Sequence, residues 1–274
     1  MLVRPLVACF ALVVAFALAC PAYAGEKLKV ASSLRGFWDT TMVQFGNERG
    51  FFAEEGLELE MLWTDGGSDI LQVVNSGSVD IGIGTGVMGA LGAYARGAPF
   101  SIIANEFVGS SDLYYFVPAD SAIKSFKDLD GKTVGVARLG SSSESVGGML
   151  AKQNNVTPKF TPTGGTAATF TQVMTKQVDA AWCVFPVFLN QIEAGKIRII
   201  SLGKDAPGIS GETTRVNIAS KALIEKRPDV LRGFLRAYRK TIDHAYASDD
   251  IPLQWAQMNQ ISLETAKRVL PRIF

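Results

Sequence analysis

The chain has 274 residues, 47% of them hydrophobic, with 27 Lys plus Arg against 26 Asp plus Glu and a single His. A net charge of +1, without a basic stripe or an acidic tail, offers no footprint for nucleic acid. With a single His, and with Cys9 and Cys20 in or at the edge of an N-terminal segment that reads as removed, one Cys is left and no metal-ligand cluster can be assembled except from carboxylates; a histidine-based nucleophilic set is disfavoured.

Residues 1–24 open with one charge, Arg4, continue as an apolar run from Leu6 to Cys20, and end in Pro21-Ala22-Tyr23-Ala24. A basic start, a short apolar stretch and an A-x-A ending read as a secretory signal peptide, which predicts a periplasmic, exported protein. An N-terminal membrane anchor is the weaker alternative, because the run is shorter than the roughly 20 residues that span a bilayer. Lipid attachment at Cys20 fits less well, since Leu18 sits one place too late for a lipoprotein signal. Removal of the segment leaves 26 basic against 26 acidic residues and a single thiol, Cys183. That thiol has no internal disulfide partner, and it reads as a buried small hydrophobe.

The following residues alternate between strand and helix patterns. Lys27 to Ala31 reads as a strand, Phe37 to Glu48 as a helix, and Leu57 to Trp63 as a strand with one covered face. Ser68 to Asn75 is a helix with Ser68 as its N-cap; Ile81 to Gly84 is a strand, Val87 to Arg96 a helix and Ser101 to Glu106 a strand. The pattern restarts with strands Leu113 to Val117 and Thr133 to Val136, separated by a turn at Phe126 to Gly131. Helix Ser143 to Gln153, helix Thr166 to Lys176, strand Ala180 to Val184, helix Pro186 to Glu193 and strand Ile197 to Leu202 continue it. After an extended run at Arg215 to Ala219 the chain is helical, with an apolar stripe along Asp229 to Tyr246 and further helices at Ile251 to Asn259 and Ser262 to Leu270. Such alternation predicts parallel βαβ units in two lobes, with a cleft where the strand ends face each other.

Four groups of residues are candidates for chemistry. Gly84-Thr85-Gly86-Val87-Met88-Gly89 is G-x-G-x-x-G between a strand and a helix, the dinucleotide pattern. Export and its place on a second or third strand oppose that use, so these glycines are expected to let a ligand or the facing lobe approach the backbone. Ser32 and Ser33 follow the first strand, and Ser141, Ser142 and Ser143 open a helix. Hydroxyls and free N–H groups at a helix start bind oxyanions, and three adjacent serines exceed what a cap needs. Thr85 shares this reading. Phe37, Trp38, Trp182 and Phe185 are aromatics at element ends, placed for either core or cleft wall. Arg138, just ahead of the serine run, is placed to supply one positive charge to an anion or to lie in a solvated loop. His244, among Asp243, Asp249 and Asp250, reads as an ordinary exposed helix residue.

Five segments in order carry a family resemblance: Glu48-Arg49-Gly50-Phe51-Phe52-Ala53-Glu54-Glu55-Gly56-Leu57, Ser76-Gly77-Ser78-Val79-Asp80-Ile81-Gly82, Asp128-Leu129-Asp130-Gly131-Lys132-Thr133-Val134-Gly135-Val136, Gln177-Val178-Asp179-Ala180-Ala181 and Arg227-Pro228-Asp229-Val230-Leu231. From about Val30 to Tyr246 the chain resembles the periplasmic binding proteins of nitrate, sulfonate and taurine import, a family that includes thiamine-pyrimidine-precursor binders. The resemblance implies an α/β two-lobed periplasmic-binding-protein (Venus-flytrap) fold, with lobes joined by two crossovers. Residues 25–112 plus 211–274 would form lobe one, and 113–210 lobe two. It further implies a small-molecule ligand, an inner-membrane ABC permease as partner, a monomer, no catalytic residues and no cofactor or metal. The implied ligand positions are Ser32, Ser33 and Leu34; Thr85 and Gly86; Ser141 to Ser143; and Cys183 to Pro186. Where many members carry Trp-Glu-Pro, this chain reads Trp182-Cys183-Val184-Phe185-Pro186, so a cationic amine such as taurine lacks its acidic partner. The cysteine-rich motif and histidines of the pyrimidine-synthesising relatives are missing as well. The expected ligand is a small organic oxyanion, a sulfonate or carboxylate. A thiamine-precursor pyrimidine is the alternative, a sensor of the same fold another, and a dinucleotide-dependent enzyme the alternative of a different class.

Overall fold

A computed structural model describes residues 25–273; the signal-peptide and Cys20 readings lie outside the described residues. The chain first lays down β1 (Glu26–Ser33), α1 (Trp38–Glu48), a short α2 (Phe51–Glu54), β2 (Leu57–Thr64), α3 (Gly67–Asn75), β3 (Ile81–Gly86), α4 (Val87–Ala95) and β4 (Phe100–Val108). It crosses over to build β5 (Leu113–Pro118), β6 (Thr133–Val136), α5 (Ser142–Asn154), β7 (Lys159–Pro162), α6 (Thr166–Met174), β8 (Ala180–Val184), α7 (Leu189–Glu193) and β9 (Ile197–Leu202). It then returns as β10 (Thr213–Ser220) and ends in α8 (Lys221–Lys226), α9 (Pro228–Ala247), α10 (Asp250–Met258) and α11 (Leu263–Ile273).

Two five-stranded sheets result, ordered β2-β1-β3-β10-β4 and β7-β6-β8-β5-β9. The expected parallel βαβ units account for part of each sheet, and both sheets are mixed. β1 pairs in parallel with β2 and β3, and β6 with β7 and β8, but β10 is antiparallel to both neighbours and so is β5. The reversed strands are the two that enter a sheet from a crossover rather than from a helix on its face. The crossovers run side by side: Gly109 N–H donates to Glu212 O at 2.8 Å, and the Thr214 hydroxyl donates to Gly109 O at 2.6 Å.

Burial explains the local choices. β3 and β5 are buried at every position, as central strands covered on both faces must be, while β2 alternates as an edge strand does. α9 starts at Pro228, where a missing N–H costs nothing, and buries Phe234, Ala237, Tyr238, Thr241 and Ala245 along one stripe. It crosses α1 closely at Gly46, where a Cβ would stand 2.0 Å from Thr241 Oγ1. Ser68 is not the cap of α3, which begins at Gly67; its hydroxyl reaches Leu139 O at 2.6 Å, on the other side of the cleft. Helix α7 begins at Leu189, after a turn, and not at Pro186. Among the described residues no helix is long and apolar enough to cross a membrane.

Candidate functional site

The ends of β1 and β3 meet those of β6 and β8 across a narrow cleft. At its bottom lies a cavity of about 20 Å³. The first sheet contributes Ser33, Leu34, Gly84, Gly86 and Arg215, with Phe37 and Thr40 from the start of α1. The second contributes Ala137, Trp182 and the start of α5. No carboxylate lines it.

The serine run is placed as its sequence suggests, with its hydroxyls divided between duties. The Ser141 hydroxyl caps α5 by accepting from Glu144 N–H at 3.4 Å and also contacts the Ser143 hydroxyl at 2.9 Å. Ser143 Oγ accepts from Ala137 N–H at 3.1 Å, which ties α5 to the end of β6. Ser142 lines the cavity, and its hydroxyl has no hydrogen-bond partner among the described residues. Trp182, 2% exposed, turns its indole into the same space, and its buried Nε1–H has no acceptor. Its ring meets Phe37 edge to face at 6.0 Å, so an α1 side chain plugs into the core of the second sheet. Leu34 holds a left-handed backbone (φ 51°) at the mouth of the cavity. That conformation is uncommon for a non-glycine residue and is concentrated at ligand sites.

The glycine motif serves the facing lobe. A Cβ on Gly86 would stand 2.7 Å from Gly140 O and 2.9 Å from Ser142 N; one on Gly89 would stand 2.7 Å from Gly140 O. β3 runs to Gly86 and α4 begins at Val87, so there is no phosphate-cradling loop, and the backbone of residues 140–142 fills the space a pyrophosphate would need. Gly84 (φ 76°) packs its Cα against Thr40 and Ser33.

Behind the cavity is a charge network that sequence reasoning missed. Arg215, 4% exposed on β10, donates from Nε to Asp39 at 2.6 Å and from Nη2 to Asp112 at 2.7 Å, and lies 4.2 Å over the Phe107 ring. Burial opposes the Arg215 charge, but Asp112 and Asp39 outweigh it, and its pKa is raised. Asp112, in the first crossover, is raised by burial against the pull of Arg215. Its Oδ1 and the nearby Ser110 hydroxyl have no partner. Deeper still, Glu106 accepts from Tyr238 at 2.7 Å and from Asn217, whose Oδ1 accepts Gly84 N–H at 3.1 Å. Burial, then repulsion from Asp39, pushes Glu106 up to about 8. The signal was a lone charged residue inside a strand otherwise free of charge, Thr214-Arg215-Val216-Asn217-Ile218.

Several of the residues expected as contacts lie outside the wall of this cavity. Ser32 points off the opposite side of β1, donating to Thr40 O at 2.6 Å, and Thr85 donates to Gly67 O at 2.8 Å; both are buried inside the first lobe. Trp38 sits in the first core, edge to face with Trp255 at 5.3 Å. Cys183 is fully buried on the face of β8 opposite Trp182, and burial pushes its thiol up to about 12. Phe185 packs on Tyr114 at 4.7 Å, away from the cavity. Arg138 stands at the rim, where it bridges the lobes by donating to Asp69 at 3.2 Å, with Asp65 at 3.7 Å. His244 binds Asp250 at 2.9 Å and meets the Phe51 ring, so it is tied into the α9–α10 corner.

This cleft between two mixed sheets joined by paired crossovers defines the two-lobed α/β architecture of periplasmic binding proteins. Solved structures share it, among them the following two. The alkanesulfonate-binding protein SsuA of Xanthomonas axonopodis pv. citri, bound to MOPS, superposes with TM-score 0.76 at 16% identity, covering 92% of this chain and 86% of that one. The CA3427 gene product of Candida albicans, described as having the generic periplasmic binding protein fold, gives 0.76 at 20% identity over 91% and 81%. Residues 39–250 match the NMT1/THI5 like family model, and the chain belongs to that family. A Saccharomyces cerevisiae 4-amino-5-hydroxymethyl-2-methylpyrimidine phosphate synthase is 24% identical over 210 residues, 73% of this chain; the match spans 61% of the yeast enzyme's length.

Proposed function

We propose that the protein is an extracytoplasmic solute-binding protein, exported by residues 1–24. It captures a small organic oxyanion, of the sulfonate or carboxylate class, between its lobes and delivers it as a monomer to an inner-membrane ABC permease. Lobe one would comprise residues 25–112 plus 211–274 and lobe two 113–210. The observation that carries the ligand class is the composition of the cavity wall: the start of α5, the free Ser142 hydroxyl and the unpaired Trp182 N–H are donors, and no carboxylate competes with them. A helix N-terminus adds partial positive charge in the same place. Ser33, Leu34, Gly86 and Ser141 to Ser143 are the ligand contacts on this reading.

A thermal-shift panel of methanesulfonate, acetate, nitrate, taurine, an aminopyrimidine, a sugar and a nicotinamide dinucleotide tests it. Oxyanions are expected to stabilise, by roughly 2.7 kcal/mol at 100 times the dissociation constant. Stabilisation by the sugar or by cations alone would overturn the ligand class, and by the dinucleotide alone the transport role.

A further inference from the structure

The cavity under Trp182 measures about 20 Å³, little more than the space a single water needs. A second hollow, of about 400 Å³, shares two of its wall residues, Leu34 and Phe37, and falls within the size range of small-molecule sites. Its first-lobe side is Arg35, Trp63, Thr64 and Asp65, and its second-lobe side is the start of α6, Gly165 to Ala168. Three details make this hollow different from an ordinary crevice. Trp63 presents a half-buried indole at the end of edge strand β2, with the Arg35 guanidinium 5.5 Å from its centroid. The α6 side offers only glycine, threonine and two exposed alanines, so no long side chain fills the space. Leu34, which divides the two spaces, is the residue held at positive φ.

We propose that the cleft takes a two-part ligand, with one oxygen of an acceptor head group in the water-sized cavity against Trp182 Nε1 and the start of α5, and a planar tail in the outer hollow on Trp63. This rests on the oxyanion reading above. The head alone satisfies the buried donor, and a ring with its apolar face on an indole gains burial and an aromatic contact. Arg35, stacked on the same indole, limits how far the tail extends toward solvent. Trp182 is therefore the recognition residue for the class, and Trp63 the residue that selects among its members.

The test is isothermal titration calorimetry with two head-matched pairs, methanesulfonate against benzenesulfonate and acetate against benzoate. In the parent protein the ring-bearing member of a pair should bind about tenfold or more tightly than the small one. Trp63→Ala should erase that gap while leaving the small member within about twofold. Ala168→Trp, which fills the hollow from the other lobe, should do the same and guards against a folding defect in the first variant. Trp182→Phe should weaken both members of a pair equally, by about tenfold, through loss of one donor. A gap that persists in both Trp63→Ala and Ala168→Trp, or no gap in the parent protein, overturns the inference while the oxyanion reading stands. Unchanged affinities in Trp182→Phe overturn the head-group assignment. Failure of all four anions to bind overturns both readings together.

Discussion

Gly89→Ala separates the stability of a lobe from the closing of the cleft. Gly89 lies in the first turn of α4, where alanine is favoured over glycine by up to about 1 kcal/mol. On the lobe alone the substitution is stabilising. In the closed arrangement the new Cβ would stand 2.7 Å from Gly140 O, where ordinary contact begins at 3.4 Å, and the atom it meets is backbone of the other lobe. Leu71 Cδ1, at 3.3 Å, limits escape sideways. The relief available is to part the lobes. Overpacking of this kind costs about 1–3 kcal/mol. Set against closure, that weakens ligand binding about 5- to 150-fold. The expected result is a pair of opposite signs: a higher urea midpoint without ligand and a weaker dissociation constant by calorimetry, with a larger radius of gyration in the presence of ligand. An affinity within about twofold of the parent would refute the role given to the glycine motif.

Three further outcomes follow from the buried groups. Arg215→Met leaves Asp39 and Asp112 buried without their partner and should cost about 3–5 kcal/mol in urea unfolding; a loss below about 1 kcal/mol would mean the network is not what holds the crossover. Glu106 keeps its proton to about pH 8 in the folded chain, while an ordinary glutamate near 4.5 loses it in the unfolded chain. Its contribution is therefore complete below about pH 4.5 and declines as pH rises through about 8. Urea midpoints should fall over that window, and Glu106→Gln should flatten the decline; an identical profile in the variant rules Glu106 out as its source. Cys183, buried with its thiol pushed up to about 12, should resist a thiol reagent at neutral pH until the protein is unfolded. Labelling of the native chain at the rate of a free thiol would contradict its placement.

The alternation of elements was legible because the burial pattern of most of them follows directly from their residues: β2 alternates, α9 carries a stripe, and β3 carries no charge. β7 was not, since Lys159-Phe160-Thr161-Pro162 is a four-residue edge strand with a proline at its end. The position of the serine run at a helix start beside the cleft was legible because three adjacent hydroxyls exceed a cap. Neighbouring residues expected to act together are placed apart. Ser32 and Ser33 sit on opposite faces of β1, Cys183 and Trp182 on opposite faces of β8, and Phe37 and Trp38 at the same helix start diverge into different cores. Type and position along the chain select the element end, whereas face depends on register, which only the assembled sheet supplies. Arg138 and Arg215 show the same limit for charge. The loop arginine looked available, but its partners Asp65 and Asp69 come from the other lobe, and the arginine beside the cavity is a strand residue whose partners are 176 and 103 positions away.

The position of β10 has a consequence for how the chain is made. It lies between β3 and β4, which lack each other as ladder partners, yet residues 113–202 must be synthesised before it appears. The second sheet is contiguous in sequence and is complete once β9 has emerged. The first must wait with two unpaired strand edges until residue 220 is available, and contacts of such separation form slowly. A nascent chain thus carries one finished sheet and one open one through most of its synthesis, and a product truncated before Thr213 would expose β3 and β4 as sticky edges. The same central strand that joins the lobes at the end is what keeps the first of them from locking early.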